Sequence, residues 1–132
     1  MKRLAALILL GGLLLASAGP AAADDIYDKC IDDSDGTNTA WGACGSEWLK
    51  REDEKLNAVW KRINDGLPDA TKADLLEEQR AWIAFKEKSC RFYANGDWGR
   101  EGQALHYPNC LASLIAERIS TLEAYGAFFK QN

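Results

Sequence analysis

Residues 41–63 read WGACGSEWLKREDEKLNAVWKRI, and this stretch decides the fold class. Its apolar residues recur at steps of three and four, the spacing that places side chains on one face of an α-helix. They are Trp41, Cys44, Trp48, Leu49, Leu56, Val59, Trp60 and Ile63. The turn-forming residues 64–66 and then Pro68 follow, so the sequence predicts a long first helix that stops before this proline.

Two further helices are predicted by the same reasoning. The second begins near Pro68, because proline suits a first helical turn, and runs to about Tyr93. A third apolar pattern covers residues 111–129. Between them, residues 95–109 contain three glycines and Pro108 among polar residues, which predicts a loop. No strand-like alternation is present, so the expected fold is all-α: a compact three-helix domain with a glycine-rich loop between helices two and three.

The four cysteines are expected to form two disulfides. They are Cys30, Cys44, Cys90 and Cys110. Pairing the first with the second would tie the N-terminal segment to helix one, and pairing the third with the fourth would tie helix two to helix three. Four cysteines nevertheless allow three pairings. A zinc site is disfavoured because no Cys-x-x-Cys pair is present, and we expect no metal and no other cofactor.

The N-terminus has the order of an export signal. Two basic residues precede an apolar stretch over residues 4–15, and residues 21–23 form an Ala-x-Ala cleavage site. The apolar stretch is shorter than the roughly 20 residues that span a bilayer. We therefore predict that residues 1–23 are a cleaved signal peptide and that residues 24–132 form one periplasmic or secreted domain without a stable membrane anchor.

The charge of the predicted mature chain limits its partners. Residues 24–132 carry 14 basic and 20 acidic side chains, which is a net charge of −6. This balance disfavours nucleic acid and anionic lipid and favours a basic partner. Moderate negative charge also serves solubility alone, so the pattern does not decide between these interpretations. The oligomeric state is left open by the sequence.

The sequence lacks a recognisable set of catalytic residues. His106 is the only histidine, no serine lies in a nucleophile-elbow context, and the cysteines are expected to be oxidised. Glu77 and Glu78 are neighbours, so on a helix their side chains point about 100° apart and do not converge as a glycosidase pair. We therefore predict that the protein is not an enzyme and has no catalytic residues.

The predicted second helix contains a motif that resembles a known protein family. Residues 78–86 read EQRAWIAFK, with Cys90 soon after, and resemble the central motif of the LprI-like family of small exported bacterial domains. The order of the four cysteines is similar to that family, as are Asp53 with the Leu-Asn pair at residues 56–57. Arg118, which follows the last cysteine, also resembles a family position. The resemblance covers nearly all of the predicted mature chain.

The family is named for a mycobacterial lipoprotein associated with lysozyme inhibition. The resemblance therefore implies a lysozyme inhibitor that acts by non-catalytic binding to a basic lysozyme. The alternative is a periplasmic protein-interaction or envelope-maintenance module without lysozyme activity. The chain departs from the pattern at Ile115, where the family often has threonine, and at Glu47, one residue from the expected acid. It also lacks the lipid-attachment cysteine, so anchoring is not implied.

Four polar residues are predicted to form a structural network. On a helical wheel, Gln79 and Arg118 lie in the middle of the apolar faces of the second and third helices. Glu52 lies on the apolar face of the first helix, with Asp53 at its edge. Because a guanidinium directed at the core requires a carboxylate, we predict that Glu52 or Asp53 joins Gln79 and Arg118 in a buried network that sets helix register.

Four other residues are candidate binding residues. Trp98, His106 and Tyr107 lie in the predicted loop, whose ends the third and fourth cysteines would restrain, and aromatic residues on such loops can anchor a partner. The alternative is that the two larger aromatics fold back over the helix ends. Arg80 lies beside the apolar face of the second helix, where it would face a ligand in a cleft between helices or, in the alternative, pair with Glu77 or Asp74 in solvent.

Overall fold

A computed structural model describes residues 24–131 as an all-helical domain. Its elements in chain order are α1 (Asp25–Asp32), α2 (Asn38–Asp65), α3 (Asp69–Ala94), α4 (Gly99–Glu101), a π-helical segment (Gly102–His106) and α5 (Tyr107–Gln131). The described residues contain no strand, which confirms the all-α class. Four helices in this part of the chain have two turns or more, so the predicted number of three helices was too low. The predicted leader, residues 1–23, lies outside the described residues.

The helix that the sequence analysis missed is α1. Asp24 caps it by accepting a hydrogen bond from the backbone N–H of Tyr27 at 2.9 Å. Burial by itself would raise the pKa of Asp24. Hydrogen bonds from Tyr27 and Arg51 outweigh this effect, so the pKa of Asp24 lies below its ordinary value. With only eight residues, α1 is too short to show a helical period.

Three contacts attach α1 to α2. The Cys30–Cys44 disulfide joins the two helices, and the guanidinium of Arg51 on α2 donates to both carboxylate oxygens of Asp24 at 3.0–3.1 Å. Tyr27 stacks on Trp48 with 4.4 Å between the ring centroids. These two aromatic residues form a small core with Cys44 and Ala112, so α1 is an integral part of the domain.

The main core lies where α5 packs along α2 and against α3. Ile115 and Leu122 of α5 are 1% and 0% exposed, which makes α5 the central helix. They pack against Leu56, Ile63, Leu67 and Leu75. Gly126 allows α5 to approach α2 closely, because a Cβ at this position would overlap the Ile63 side chain.

The glycine-rich loop is not confirmed. Only residues 95–98 of the predicted loop are non-helical. Gly96 and Gly99 turn the chain there with φ angles of 99° and 61°, which side-chain-bearing residues rarely adopt. Helical structure then resumes and runs without a break from Gly99 to Gln131, with Pro108 as the second residue of α5, directly after the π-helical segment. Because proline has no N–H, one backbone hydrogen bond of this helical run is missing there. The prediction was wrong because glycine and proline also occur within helix beginnings and helical packing contacts.

The structure selects one of the three disulfide pairings. Cys30 pairs with Cys44 and Cys90 pairs with Cys110, with Cα separations of 5.7 and 5.6 Å. The second bridge ties the end of α3 to the first turn of α5, across the turn and π-helical segment between them. No helix in the described part of the chain is long and apolar enough to cross a membrane.

Candidate functional site

Arg118 is the best-connected polar side chain in the middle of the bundle. It lies on α5 and is 4% exposed. Its Nη1 and Nη2 donate to the two carboxylate oxygens of Glu78 at 2.8 and 2.9 Å, and its Nε donates to Gln79 Oε1 at 2.9 Å. The hydroxyl of Tyr125 also donates to Glu78, at 3.1 Å. This polar cluster therefore joins α3 to α5 through a bidentate ion pair and a buried amide.

The structure brings only part of the predicted network together. Gln79 and Arg118 are hydrogen-bonded. Glu52 is buried, but its carboxylate accepts from Lys55 on the same helix at 2.6 Å. Asp53 is exposed and lies 4.0 Å from the Lys86 ammonium. The carboxylate that meets Arg118 is therefore on α3 rather than on α2.

The sequence analysis missed Glu78 as the partner of Arg118. A helical wheel places Glu78 about 100° from Gln79, off the centre of the apolar face. Its side chain is 43% exposed, and it reaches around the helix to the guanidinium. The position of Glu78 next to Gln79 could have identified it, because the arginine predicted to face Gln79 needed a carboxylate partner. Hydrogen bonds from Arg118 hold the pKa of Glu78 below its ordinary value.

An aromatic cluster lies at the end of the bundle where α3 meets the π-helical segment. Its members are Phe92, Tyr93, Trp98 and His106. The ring centroids of Phe92 and Trp98 are 5.2 Å apart, those of Tyr93 and Trp98 are 5.6 Å apart, and those of Tyr93 and His106 are 5.8 Å apart. Phe92 is 55% exposed and Trp98 is 47% exposed. Large apolar rings are thus presented to solvent as one contiguous group.

The position of Trp98 is set by the residues behind it. Gly102 is buried beneath it, and a Cβ on Gly102 would overlap the Trp98 Cβ and lie 2.7 Å from the carbonyl oxygen of Tyr93. Cys90, one turn before the cluster, is fully buried and bonded to Cys110. The exposed rings therefore stand on a tightly packed and covalently braced base.

His106 connects the aromatic cluster to α1. A cleft of about 340 Å³ is lined by Tyr93, His106 and Asn109 on the cluster side. A second cleft, of about 460 Å³, is lined by the same His106 and Asn109 together with Asp28 and Asp32 of α1. We call these two aspartates the acidic edge. Because both clefts share His106 and Asn109, the acidic edge lies next to the His106 side of the aromatic cluster, while Phe92 and Trp98 line neither cleft.

The remaining candidate residues lie in different places. Tyr107 is half-buried as the first residue of α5. Arg80 is exposed on α3, twelve residues before Phe92, which is about 18 Å along the helix. It is therefore not part of the aromatic surface, and its role in binding stays a prediction. Sequence reasoning missed Arg100, whose guanidinium lies 4.3 Å from the ring centroid of Trp41 and connects α4 to α2.

The carboxylate of the polar cluster is engaged in contacts within the domain. Within residues 24–131, no group of three or more histidine, cysteine, aspartate or glutamate side chains could hold a metal ion. Glu78 is held in its ionised form by Arg118, so it is poorly suited to donate a proton at neutral pH. The polar cluster therefore has the geometry of a structural ion pair, and the aromatic cluster is a group of packed rings of which Phe92 and Trp98 are exposed.

The family model described as lysozyme inhibitor LprI matches residues 30–122. The chain belongs to the LprI family. The LprI match contains all four cysteines, the whole aromatic cluster and the polar cluster except Tyr125. No curated protein and no solved structure is significantly similar to this LprI-family chain.

Proposed function

We propose that this protein is a lysozyme inhibitor that acts by binding the enzyme, without chemistry of its own, in the periplasm or outside the cell. The observation that carries the proposal is the match to the lysozyme-inhibitor family model over residues 30–122. That match covers most of the chain, so the inhibitor role is proposed for the whole domain and not for a short motif.

The charge of the domain supports a basic protein as the target. Residues 24–132 carry 20 acidic and 14 basic side chains, for a net charge of −6. Opposite charge raises the rate at which two proteins meet, and this advantage weakens as salt screens it. A basic lysozyme therefore fits the electrostatics of this domain better than an acidic protein does.

The construction of the domain supports binding as the mode of action. Two disulfides restrain the ends of α1, α2, α3 and α5, so little conformational entropy remains to be lost when a partner docks. The best-connected polar group, Arg118, is engaged in holding α3 to α5. These features suit a rigid inhibitor that covers part of an enzyme.

The test is lysis of a peptidoglycan suspension by C-type lysozyme, titrated with the oxidised chain from Asp24 to Asn132. We expect stoichiometric loss of lysis that weakens as salt is raised. The matched control is the same chain after reduction and alkylation, because it keeps the charge but loses the disulfide-braced fold. Absence of inhibition by the folded chain against C-type, G-type and I-type enzymes would refute the proposal and favour an envelope interaction module.

A further inference from the structure

We infer that the lysozyme-contacting surface is the end of the bundle formed by the aromatic cluster and the acidic edge, with Trp98 as its central anchor. This inference rests on the proposed function and assigns it to particular residues. It commits to one occupant, a basic lysozyme. The acidic edge lies at the border of the contact and the exposed rings lie at its centre.

The first argument is the concentration of exposed aromatic surface. Phe92 and Trp98 are each about half exposed, yet their rings contact each other and Tyr93. Aromatic side chains supply most hot spots in protein interfaces, because they bury a large area at a small cost in side-chain entropy. Trp98 packs closely over Gly102, and the Cys90–Cys110 bridge joins the two helices that flank this cluster.

The second argument is the charge beside the rings. Asp28 and Asp32 line the cleft that shares His106 with the aromatic cluster. They belong to the segment 24–35, which has six aspartates and a single lysine. A basic partner that covers the rings would therefore meet carboxylates at the edge of the contact, where charge guides encounter more than it holds the complex.

Other exposed aromatic residues fit this role less well. Phe128 and Phe129 form a pair on the last turns of α5, 5.7 Å apart. They lie on one helix end, without a disulfide beneath them, and Phe128 is about 30 Å along α5 from Tyr107. This distance makes Phe128 a control position that shares the chemistry of the aromatic cluster but not its location.

The experiment measures the affinity and association rate of four variants for C-type lysozyme, or for the G-type or I-type enzyme if that is the one inhibited. Trp98→Ala tests the anchor, and its matched control is Phe128→Ala. Asp28→Asn with Asp32→Asn tests the acidic edge. Its control is Asp69→Asn with Glu77→Gln, which changes the net charge equally but acts on exposed residues of α3.

We expect Trp98→Ala to raise Kd about 30-fold, the size of effect typical of an interface hot spot, while Phe128→Ala leaves it within about twofold. The double aspartate variant should slow association about threefold to tenfold and reduce its salt dependence, whereas the control pair should change the rate less. Melting temperatures of all variants are measured alongside. If Trp98→Ala lowers the melting temperature, Phe92→Ala decides the question, because this ring is more exposed.

The outcomes separate this inference from the proposed function. If the wild-type domain binds lysozyme but the folded Trp98 and Phe92 variants bind it equally well, the surface assignment is wrong and the inhibitor role stands. If the wild-type domain binds none of the three lysozyme classes, the proposed function fails and the surface assignment fails with it. A selective loss in the cluster variants supports both.

Discussion

The middle of the bundle and the end that carries the aromatic cluster are held together by different means. In the middle, aliphatic side chains surround α5. Arg118 is 4% exposed there and is paired with Glu78. At the other end, two disulfides accompany a smaller buried apolar group, formed by Tyr27, Cys44, Trp48 and Ala112. Apolar rings there remain in solvent.

This difference indicates how the domain can combine stability with an exposed apolar surface. Covalent bridges hold helix ends without requiring that every nearby aromatic ring be buried. Rings that are not needed for the core are then free to contact a partner. Changes in the middle should therefore reduce stability, and changes at the aromatic end should reduce binding more than stability.

Replacing Arg118 with alanine should have the largest effect on stability. It removes a buried side chain, leaves the buried amide of Gln79 without its partner and disconnects Glu78, which together should cost about 4 kcal/mol of unfolding free energy. Urea denaturation measures this cost. The control is Arg62→Ala, because Arg62 forms an exposed interhelical pair with Glu123 and should cost less than about 1 kcal/mol. Equal costs at the two sites would contradict the assigned role of the polar cluster.

Replacing both Cys90 and Cys110 with alanine should lower the unfolding free energy by about 3 kcal/mol, since their bridge closes a loop of 20 residues. The comparison is the alanine pair at Cys30 and Cys44, whose loop of 14 residues predicts a similar cost. The denaturant midpoints of the two variants, each with its remaining disulfide intact, measure the two losses of stability. A loss below about 1 kcal/mol at Cys90 and Cys110 would show that noncovalent packing holds the aromatic end.

Gly102→Ala should have a smaller effect on stability and a clear effect on lysozyme binding. The added methyl group must displace Trp98 or the backbone at Tyr93, and such overpacking costs about 2 kcal/mol. Calorimetry measures the change in stability, and titration with lysozyme measures the change in affinity. The matched control is Gly42→Ala, in α2, where no neighbouring atom lies within 4 Å and alanine should stabilise the helix by about 0.5 kcal/mol. Unchanged affinity in Gly102→Ala would argue against a fixed Trp98 anchor.

The smallest expected effect is a pH dependence of stability that arises from Glu78. Its pKa in the folded protein is below the ordinary value of 4.5, so the unfolded chain binds more protons in this range. The stabilisation is complete above pH 4.5 and is lost as pH falls through the folded pKa. Glu78→Gln should flatten the acid side of a stability profile measured between about pH 3 and pH 7. If the stability of Glu78→Gln instead falls with pH as steeply as that of the wild-type protein, other carboxylates cause the acid dependence.

The long helices and one half of the polar cluster were predictable because each depends on local periodicity. Residues 41–63 fall within α2, and Gln79 and Arg118 lie in the middle of apolar faces that do bury them. The short helix α1 was not predictable in this way, because eight residues with few apolar side chains carry little periodic signal. Residues 99–109 are helical although their glycines and proline predict a loop, because these residue types favour turns in sequence but do not exclude helical structure.

The pattern of apolar residues and cysteines determined the helical class and the two-disulfide plan, and the motif at residues 78–86 with the cysteine order determined the family resemblance, because these depend on the order of residues along one chain. The tertiary structure decided that Arg118 meets Glu78 rather than Glu52, since that depends on which helices α5 contacts and how far each side chain reaches. It also decided that His106 lines a cleft with Asp28 and Asp32 of α1 and that Trp98 packs over Gly102, because only tertiary packing brings these separate segments together.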